Sequence, residues 1–412
     1  MSQAPIVILG GGHAGVQLAA SLRDEGYEGP ISLINGEEVP PYQRPPLSKG
    51  YIHGELSPET ISLRGQSFFE SKRINLVNQT AVSIDRTVSG VCLSSGEVLK
   101  YSHLAIATGS RPRRLELPGS NLDGVYELRS LEDASRIRAH LQSCHTVLVV
   151  GAGFIGLEFA AAARTKSIEV EIVELANRPM ARSLSPEMSD FFRRAHEETG
   201  CRFHFGTRIR ELTGSGKHVS GAILDDGRKI TADLVLLGVG IMAEDRLAQA
   251  AGLICDDGVV VDKHLATSDP AVSAIGDCAR HPNPFAKTSI RLESVQNAID
   301  QAKCVARRLT GKPGSFRNLP LFWSDQGRLK LQIAGLVQGC DTFVARGDPA
   351  TQAFSVFGFG GGKLLCVESV NRPGDYMAAR RILDANGTIS PDEVADPAFD
   401  LKQAAKRSAA AA

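Results

Sequence analysis

The sequence predicts an α/β protein with two Rossmann-like dinucleotide-binding domains and a smaller α+β domain at its C-terminal end. Two glycine-rich turns carry most of this prediction, because each lies between an apolar strand and a helix. The strands that precede them are 5–9 and 146–150. From Pro320 onward the pattern changes to alternating strands and a short helix near 376–384, which is typical of an α+β domain.

The composition excludes several classes of protein. The 412 residues carry 46 basic and 46 acidic side chains, so no excess positive charge attracts nucleic acid, and aromatic residues are only 6%. No apolar stretch approaches the roughly 20 residues of a membrane span, and no cationic segment precedes the first apolar one. The eight cysteines lack zinc, iron–sulfur or CxxC spacing, so we expect reduced thiols, no metal and a cytoplasmic protein.

The first glycine turn has the spacing Gly10-x-Gly12-x-x-Gly15. Glycines at these positions let the backbone approach a pyrophosphate, whose charge then lies at the positive N-terminus of the following helix. An acidic residue about 20 residues further on usually binds the adenosine ribose. Here the second strand ends at Asn35, and we assign the ribose to Glu37.

The second glycine turn, Gly151-x-Gly153-x-x-Gly156, repeats this arrangement. Glu174 closes the next strand, where a carboxylate accepts hydrogen bonds from both ribose hydroxyls and repels a 2′-phosphate. The spacing therefore favours NADH over NADPH at this turn.

Three charged residues near the second turn leave questions open. Arg178 and Arg182 weaken the preference for NADH, since a guanidinium group binds a 2′-phosphate. Glu158 lies two residues into the helix. It is either a solvent-facing glutamate or a carboxylate near the nicotinamide, and the sequence does not decide between them.

Two complete turns imply two dinucleotides in one chain, with electrons passing from one to the other. FAD at the first turn and NADH at the second is the natural arrangement, because a nicotinamide hydride can pass to a flavin. Hydride transfer requires no general acid or base, so no catalytic residue of that kind is assigned.

Several longer motifs carry a resemblance to one family. Besides the glycine turns they are 42–49, 107–109, 128–134, 274–278, 291–298 and 322–326. On these motifs the chain resembles the FAD-dependent, NADH-using ferredoxin reductases of bacterial oxygenases, of the putidaredoxin reductase and biphenyl dioxygenase reductase type. The resemblance covers nearly the whole chain and implies a glutathione-reductase-like architecture. Disulfide reductases that share it carry a CxxxxC pair, whereas no cysteine precedes Cys92 here, so a dithiol relay is excluded.

The expected domain order follows from the motifs. The FAD-binding domain comprises 1–112 and 244–320, the NAD-binding domain comprises 113–243, and the α+β domain comprises 321–412. The FAD domain is interrupted because the strand before Asp277 returns to the flavin after the NAD domain has closed. We also expect a helix over 289–309 and a frayed alanine-rich tail over 404–412.

The resemblance and the first turn together imply a set of FAD contacts. These are Gly10, Gly12, Ala14, Gly15, Glu37, Arg44, Pro45, Lys49, Val82, Thr108, Gly109, Arg129, Asp277 and Val295. Lys49 is implied to lie beside the flavin, where a cation favours the anionic reduced ring. Asp277 is implied to accept hydrogen bonds from the ribityl chain.

A second set is expected on the NAD side. It contains Gly151, Gly153, Ile155, Gly156, Glu158, Glu174, Arg182, Gly238, Gly240, Glu293 and Trp323. Trp323 is the only tryptophan, and core packing and a place in the site are equally good explanations of it.

The function implied by the resemblance is that of an NADH:ferredoxin reductase. It takes a hydride onto FAD and passes single electrons to a 2Fe-2S ferredoxin that supplies a haem-thiolate monooxygenase or an aromatic-ring dioxygenase. Reduction of rubredoxin, and an NADH-binding flavoprotein like apoptosis-inducing factor that acts through protein partners, stay open as alternatives. Nothing in the sequence demands a dimer, so we expect a monomer.

A small acidic acceptor would dock on a basic surface. Lys303, Arg307 and Arg308 on the long helix are the expected docking residues. The alternative is a solvated helix face on which Asp300 pairs with Lys303.

Overall fold

The computed structural model describes residues 4–312 and 314–411, which form two compact units. The first unit contains the chain up to Gln43, Pro58–Arg111 and Ile241–Pro320, and the second contains Arg44–Ser57, Pro112–Gly240 and the chain from Leu321. These limits lie near the predicted boundaries. The segment 44–57, expected in the FAD domain, instead belongs to the second unit, which also includes both the NAD and the C-terminal segments. The division into three functional domains stays a prediction.

The secondary structure alternates between short strands and helices throughout the described residues. The strands are β1 (Ile6–Leu9), β2 (Ile31–Ile34), β3 (Ile74–Val77), β4 (Ala81–Asp85), β5 (Gly90–Leu93), β6 (Val98–Lys100), β7 (His103–Ile106), β8 (Ser110–Pro112), β9 (Val125–Tyr126), β10 (Thr146–Val150), β11 (Glu169–Glu174), β12 (Cys201–Phe205), β13 (Ile209–Ser215), β14 (His218–Leu224), β15 (Lys229–Thr231), β16 (Leu234–Leu237), β17 (Ile241–Ala243), β18 (Val259–Val260), β19 (Val272–Ala274), β20 (Ala279–Asn283), β21 (Thr288–Arg291), β22 (Leu321–Gln326), β23 (Leu329–Gly335), β24 (Thr342–Asp348), β25 (Ala353–Gly360) and β26 (Lys363–Val370). The helices are α1 (His13–Asp24), α2 (Gly50–His53), α3 (Gln66–Ser71), α4 (Leu131–His140), α5 (Phe154–Thr165), α6 (Pro186–Glu198), α7 (Arg246–Ala250), α8 (Val295–Leu309), α9 (Pro373–Asp384), α10 (Pro391–Ala395) and α11 (Leu401–Ala411), with short 3-10 turns at Pro45–Ser48, Gly276–Cys278 and Pro349–Thr351.

The first unit is organised around a parallel sheet of five strands in the order β19-β7-β1-β2-β3. β1 is apolar at every position and all four of its residues are buried, as expected for a strand covered on both faces. Helix α1 follows it and packs against α8. Two three-stranded sheets complete the unit: β4-β5-β6 is antiparallel, whereas β18-β20-β21 is mixed, with β18 parallel and β21 antiparallel to β20.

The second unit contains a parallel sheet and an antiparallel sheet. The parallel sheet has the order β12-β11-β10-β16-β9 and is accompanied by the small sheet β13-β14-β15. The antiparallel sheet, in the order β22-β23-β26-β25-β24, lies in the C-terminal segment, where α9 packs on β26 and β23. Both predicted strand–turn–helix units, and the antiparallel C-terminal sheet, are present.

Each glycine turn passes close to the end of a neighbouring strand in its own parallel sheet. Gly10 and Gly151 have φ angles of +117° and +101°. A Cβ atom on Gly10 would lie 2.2 Å from the carbonyl oxygen of Ala107, and one on Gly151 would lie 2.4 Å from that of Gly238. Only glycine permits this approach of the turn to the neighbouring strand end.

Two sequence expectations about helices are wrong in detail. The helix expected over 289–309 begins at Val295, because Thr288–Arg291 pairs with β20 as an antiparallel strand. The tail expected to fray forms α11, which packs on α9 with Ala404 and Ala405 buried. Alanine has a high helix propensity, and its small side chain allows close helix packing. Residue 412 lies outside the described residues.

The described residues, 4–312 and 314–411, lack three features that are typical of other classes of protein. No helix in this part of the chain is long and apolar enough to cross a membrane. No group of three or more His, Cys, Asp or Glu side chains is placed to hold a metal ion there. All eight cysteines are free thiols.

The close approach of Gly151 to Gly238 predicts a stability loss. We expect Gly151→Ala to lower the free energy of unfolding by about 2 kcal/mol or more, because a strained φ and a backbone clash act together. Gly227→Ala is the matched control, since Gly227 has φ +88° but nothing within 4 Å of an added Cβ. It should cost about 1 kcal/mol. Urea unfolding of the FAD-loaded protein measures both, and equal losses would contradict the steric explanation.

Candidate functional site

The first glycine turn lies at the carboxyl ends of three adjacent parallel strands. β19, β7 and β1 are neighbours in the sheet, so the segments that follow them meet at one edge. Asp277 follows β19, and its Oδ2 accepts a hydrogen bond from the Ser110 hydroxyl at 2.9 Å. An added Cβ on Gly276 would lie 3.1 Å from the Cβ of Ala14 in α1. The structure thus gathers most of the first unit's predicted FAD residues at this edge: Gly10, Gly12, Ala14, Gly15, Thr108, Gly109 and Asp277.

Asn35 explains why this turn departs from the usual acidic pattern. Its side chain is buried and donates to the carbonyl oxygens of Glu37 at 2.9 Å and Val39 at 2.8 Å. The amide therefore fixes the loop after β2. The Glu37 carboxylate accepts a hydrogen bond from the Tyr42 hydroxyl at 2.6 Å, which orients it at the end of this loop.

The remaining predicted FAD residues fall in both units. In the first unit, Val82 lies on β4 and Val295 begins α8. In the second unit, the Arg44 guanidinium donates to the Arg129 carbonyl oxygen at 2.8 Å. Pro45 begins the short turn that leads to Lys49. Within the second unit, Arg44, Pro45, Lys49 and Arg129 are therefore held together by local contacts.

The second glycine turn is supported by the acid that closes β11. Oε2 of Glu174 accepts a hydrogen bond from the Ala152 amide at 2.7 Å, and its Oε1 accepts one from the Ala176 amide at 2.8 Å. Gly238 follows β16 on the other side of β10. The carboxylate is thus fixed beside the turn with lone pairs remaining for ribose hydroxyls.

The two arginines near this turn have different environments. The Arg178 guanidinium donates to the carbonyl oxygens of Ala181 and Leu184 at 2.8 and 3.0 Å, so it stabilises its own loop. Arg182 is exposed, and its Nη2 lies 3.7 Å from where a Cβ on Gly240 would stand. Of the two side chains, that of Arg182 is the more exposed.

Three of the four exposed large apolar side chains in the described part of the second unit lie on or beside elements of the expected NAD side, whereas the fourth, Met377, lies on α9. The three are Ile155, Leu175 and Trp323, with 39%, 68% and 37% of their surface accessible. Large apolar side chains that stay exposed in a folded protein are often part of a ligand or partner surface. For Trp323 the exposure contradicts core packing. Leu175 was missed by sequence reasoning, although its position directly after Glu174 is a usable signal.

Glu158 is buried within the second unit, with only 6% of its surface exposed. Its Oε2 forms an ion pair with Lys49 Nζ at 2.8 Å and accepts from the Ser48 hydroxyl at 2.5 Å. Its Oε1 accepts from the Ser324 hydroxyl at 2.7 Å. The solvent-facing reading of Glu158 is therefore wrong, and sequence reasoning missed Ser48 and Ser324, although both lie inside quoted motifs.

Glu293 and the docking residues lie in the first unit. The Glu293 carboxylate pairs with Arg291 at 2.7 Å. Lys303 and Arg307 are exposed on α8. Asp300, the alternative partner of Lys303, instead accepts from Gln296 at 2.9 Å.

Arg308 does not occupy the exposed face expected of a docking residue. Its Nη2 donates to the Ser273 hydroxyl, which also contacts His103 Nε2 at 2.8 Å. Burial lowers the pKa of Arg308 below its usual value and lowers the pKa of His103 to about 4. Successive side chains of an α-helix point in directions about 100° apart. Arg308 therefore faces the sheet, although its neighbour Arg307 is exposed.

The turns leave space for two dinucleotides. Nothing lies within 4 Å of a Cβ added to Gly12 or Gly153, which begin the two turn helices as N-caps. Each helix N-terminus thus presents open backbone amides to an anion. The fold and these turns define a class of oxidoreductase that binds FAD and a nicotinamide dinucleotide.

Comparison with known proteins identifies the family. Residues 4–302 match the family model of the pyridine nucleotide-disulphide oxidoreductases, and residues 321–405 match the reductase C-terminal domain. The chain belongs to this family and, within it, to the ferredoxin reductases, as the resemblance predicted. The predictions of fold class, enzyme class and cofactors are likewise confirmed.

Individual relatives match over almost their full length. Rhodocoxin reductase of Rhodococcus erythropolis is 46% identical over 98% of this chain and 94% of its own. The solved ferredoxin reductase for the CYP199A2 system of Rhodopseudomonas palustris has a TM-score of 0.96 at 46% identity, covering 98% of this chain and 100% of its own. The reductase in a covalent putidaredoxin reductase–putidaredoxin complex has a TM-score of 0.96 at 36% identity, covering 99% of each chain.

The position of Glu174 predicts a change in coenzyme preference. We expect Glu174→Ala to lower kcat/KM for NADH about 10-fold or more and to affect NADPH less, because hydrogen bonds to the ribose are lost and a phosphate is no longer repelled. Steady-state reduction of ferricyanide gives kcat/KM for both coenzymes.

Arg182→Ala is the companion variant. It should reduce any use of NADPH while leaving NADH within about twofold, since a guanidinium group favours the 2′-phosphate. Equal losses with both coenzymes in Glu174→Ala would contradict a ribose-binding role.

Proposed function

We propose that this protein takes a hydride from NADH onto FAD and delivers single electrons to a 2Fe-2S ferredoxin. The ferredoxin would supply a haem-thiolate monooxygenase or an aromatic-ring dioxygenase in the cytoplasm. The observation that carries the proposal is the pair of open glycine turns in a chain with no cysteine before Cys92. Because no CxxxxC pair follows the first turn, electrons leave by way of the flavin.

Bound FAD supplies the conversion between a two-electron donor and a one-electron acceptor. The residues of this chain bind, orient and shield the two dinucleotides. Glu174 and the second turn position the adenosine half of NADH. The exposed apolar side chains of Ile155 and Trp323 offer contact to the planar rings of NADH. The Lys49–Glu158 pair contributes a cation and a carboxylate whose positions are fixed by burial. The Lys49 cation would favour the anionic form of the reduced flavin.

Acceptor docking is assigned to two exposed cations of the first unit. Lys303 and Arg307 stand four residues apart on α8, so their side chains lie on the same helix face. No ion pair engages either of them within the described residues. An acidic ferredoxin would be attracted to this face. Arg308 does not belong to the face, because its guanidinium binds Ser273. We expect the protein to act as a monomer.

The choice of acceptor is tested by steady-state reduction of cytochrome c with NADH. Strong dependence on an added 2Fe-2S ferredoxin is the expected result. Rubredoxin is substituted in the same assay, and greater activity with rubredoxin would reassign the acceptor. Negligible turnover with a long-lived NADH–flavin charge-transfer band would instead support action through protein partners.

The docking face is tested by charge reversal. We expect Lys303→Glu combined with Arg307→Glu to raise the KM for ferredoxin about tenfold at low salt, and less at high salt because screening weakens both signs of interaction. NADH-dependent ferricyanide reduction should not change. Lys229→Glu, at an exposed position on β15, is the control and should leave both activities as they are. Equal loss with both acceptors would show that the variant damages the flavin site.

A further inference from the structure

A line of buried polar side chains leads away from Glu158 through the second unit. It contains Ser324 and Gln326 of β22, His196 of α6 and Cys201 of β12. Each of the four is at most 4% exposed. The described active-site contacts use only Ser324 among them.

The separations join these side chains into one continuous series. From the Glu158 carboxylate, Ser324 Oγ lies 2.7 Å from Oε1, and Gln326 Nε2 lies 3.3 Å from that hydroxyl. Gln326 Oε1 lies 2.8 Å from His196 Nε2. His196 Nδ1 lies 3.9 Å from Cys201 Sγ, within the range of a hydrogen bond to sulfur.

The chemistry of the end groups fixes the direction of every bond. A carboxylate paired with Lys49 accepts only, so the Ser324 hydroxyl donates to it and accepts from the Gln326 amide. The Gln326 carbonyl accepts only, so His196 carries its proton on Nε2. Its Nδ1 then accepts from the Cys201 thiol.

Burial agrees with this direction. It lowers the pKa of His196 below its usual value, which favours the neutral imidazole with one donor and one acceptor nitrogen. Burial also raises the pKa of the Cys201 thiol to about 11, so the thiol keeps its proton near pH 7.

We propose that Cys201, His196, Gln326 and Ser324 form a one-way hydrogen-bond chain that orients the Glu158 carboxylate for reaction with NADH. Gln326 and His196 are positioning residues in this chain, because they act through Ser324. A merely structural role would instead predict that variants of the chain lose stability without a selective effect on flavin reduction by NADH. The inference rests on the proposed function only in taking Glu158 to lie on the nicotinamide side.

Two variants break the chain at different links. Gln326→Glu keeps the shape but replaces the donor amide with an acceptor, so the Ser324 hydroxyl is drawn away from Glu158. Ser324→Ala removes the last donor, whereas Ser324→Thr retains a hydroxyl and should restore most of the function. Ser355→Ala is the matched control, because Ser355 is a fully buried serine of the same antiparallel sheet that bonds Ser369 at 2.9 Å.

The readout is flavin reduction by NADH in an anaerobic single turnover of the FAD-loaded protein. We expect Gln326→Glu and Ser324→Ala to slow this step about tenfold, the usual scale of a lost hydrogen bond to a charged group. Reoxidation of the dithionite-reduced variants by ferricyanide should keep the unmodified rate. Thermal unfolding reports any general loss of stability. The proposal is overturned if both half-reactions slow equally, or if Ser324→Ala and Ser355→Ala differ only in stability.

A second measurement does not depend on activity. Nitrogen-15 NMR of histidine-labelled protein reads the tautomer of His196, and the chain requires the proton on Nε2. A proton on Nδ1 instead would reverse the direction and overturn the proposal. Because neither measurement uses ferredoxin, failure of the proposed acceptor would leave both results interpretable.

Discussion

The buried ion pair between Glu158 and Lys49 is the interaction on which the organisation of the second unit depends. A carboxylate with 6% of its surface exposed loses most of its hydration, and that loss is costly unless several donors replace water. Lys49, Ser48 and Ser324 supply those donors at 2.5–2.8 Å. They come from the 44–57 segment and from β22, both of which lie in the same unit as α5.

A second constraint, the close approach of a glycine turn to a neighbouring strand, acts separately in each of the two parallel sheets. At each glycine turn the chain passes close to the end of a neighbouring parallel strand, where any side chain would collide with a carbonyl oxygen. The same approach leaves the N-terminus of the next helix open to a pyrophosphate. Close packing and anion binding therefore require the same residue type. Because both requirements select glycine, the spacing of the glycines alone identified both turns. Spacing also identified Glu174, whose carboxylate contacts the Ala152 amide of the second turn.

Features set by tertiary burial were harder to predict than features set by local geometry. The sequence placed Glu158 on a helix but left its surroundings open, because its partners come from positions more than 100 residues distant in each direction. It also grouped Arg308 with Arg307, although adjacent helical positions face different directions and Arg308 binds Ser273. Leu175 was overlooked although it directly follows Glu174, because the sequence does not show that its apolar side chain is exposed. The alanine-rich tail was misjudged for the same reason, since its order comes from packing on α9.

The two half-reactions draw on separate parts of the molecule, and this makes them separable by mutation. The hydrogen-bond chain to Glu158 is uncharged, buried and confined to the second unit, so changing it alters how a carboxylate is held without altering surface charge. Lys303 and Arg307 are exposed in the first unit, so reversing them changes long-range attraction without disturbing any hydrogen bond that holds Glu158. A neutral net charge conceals this division, because it sums buried pairs and exposed cations that act at different steps. Salt should therefore affect electron delivery to a protein acceptor strongly and flavin reduction by NADH much less, since only the exposed cations are screened.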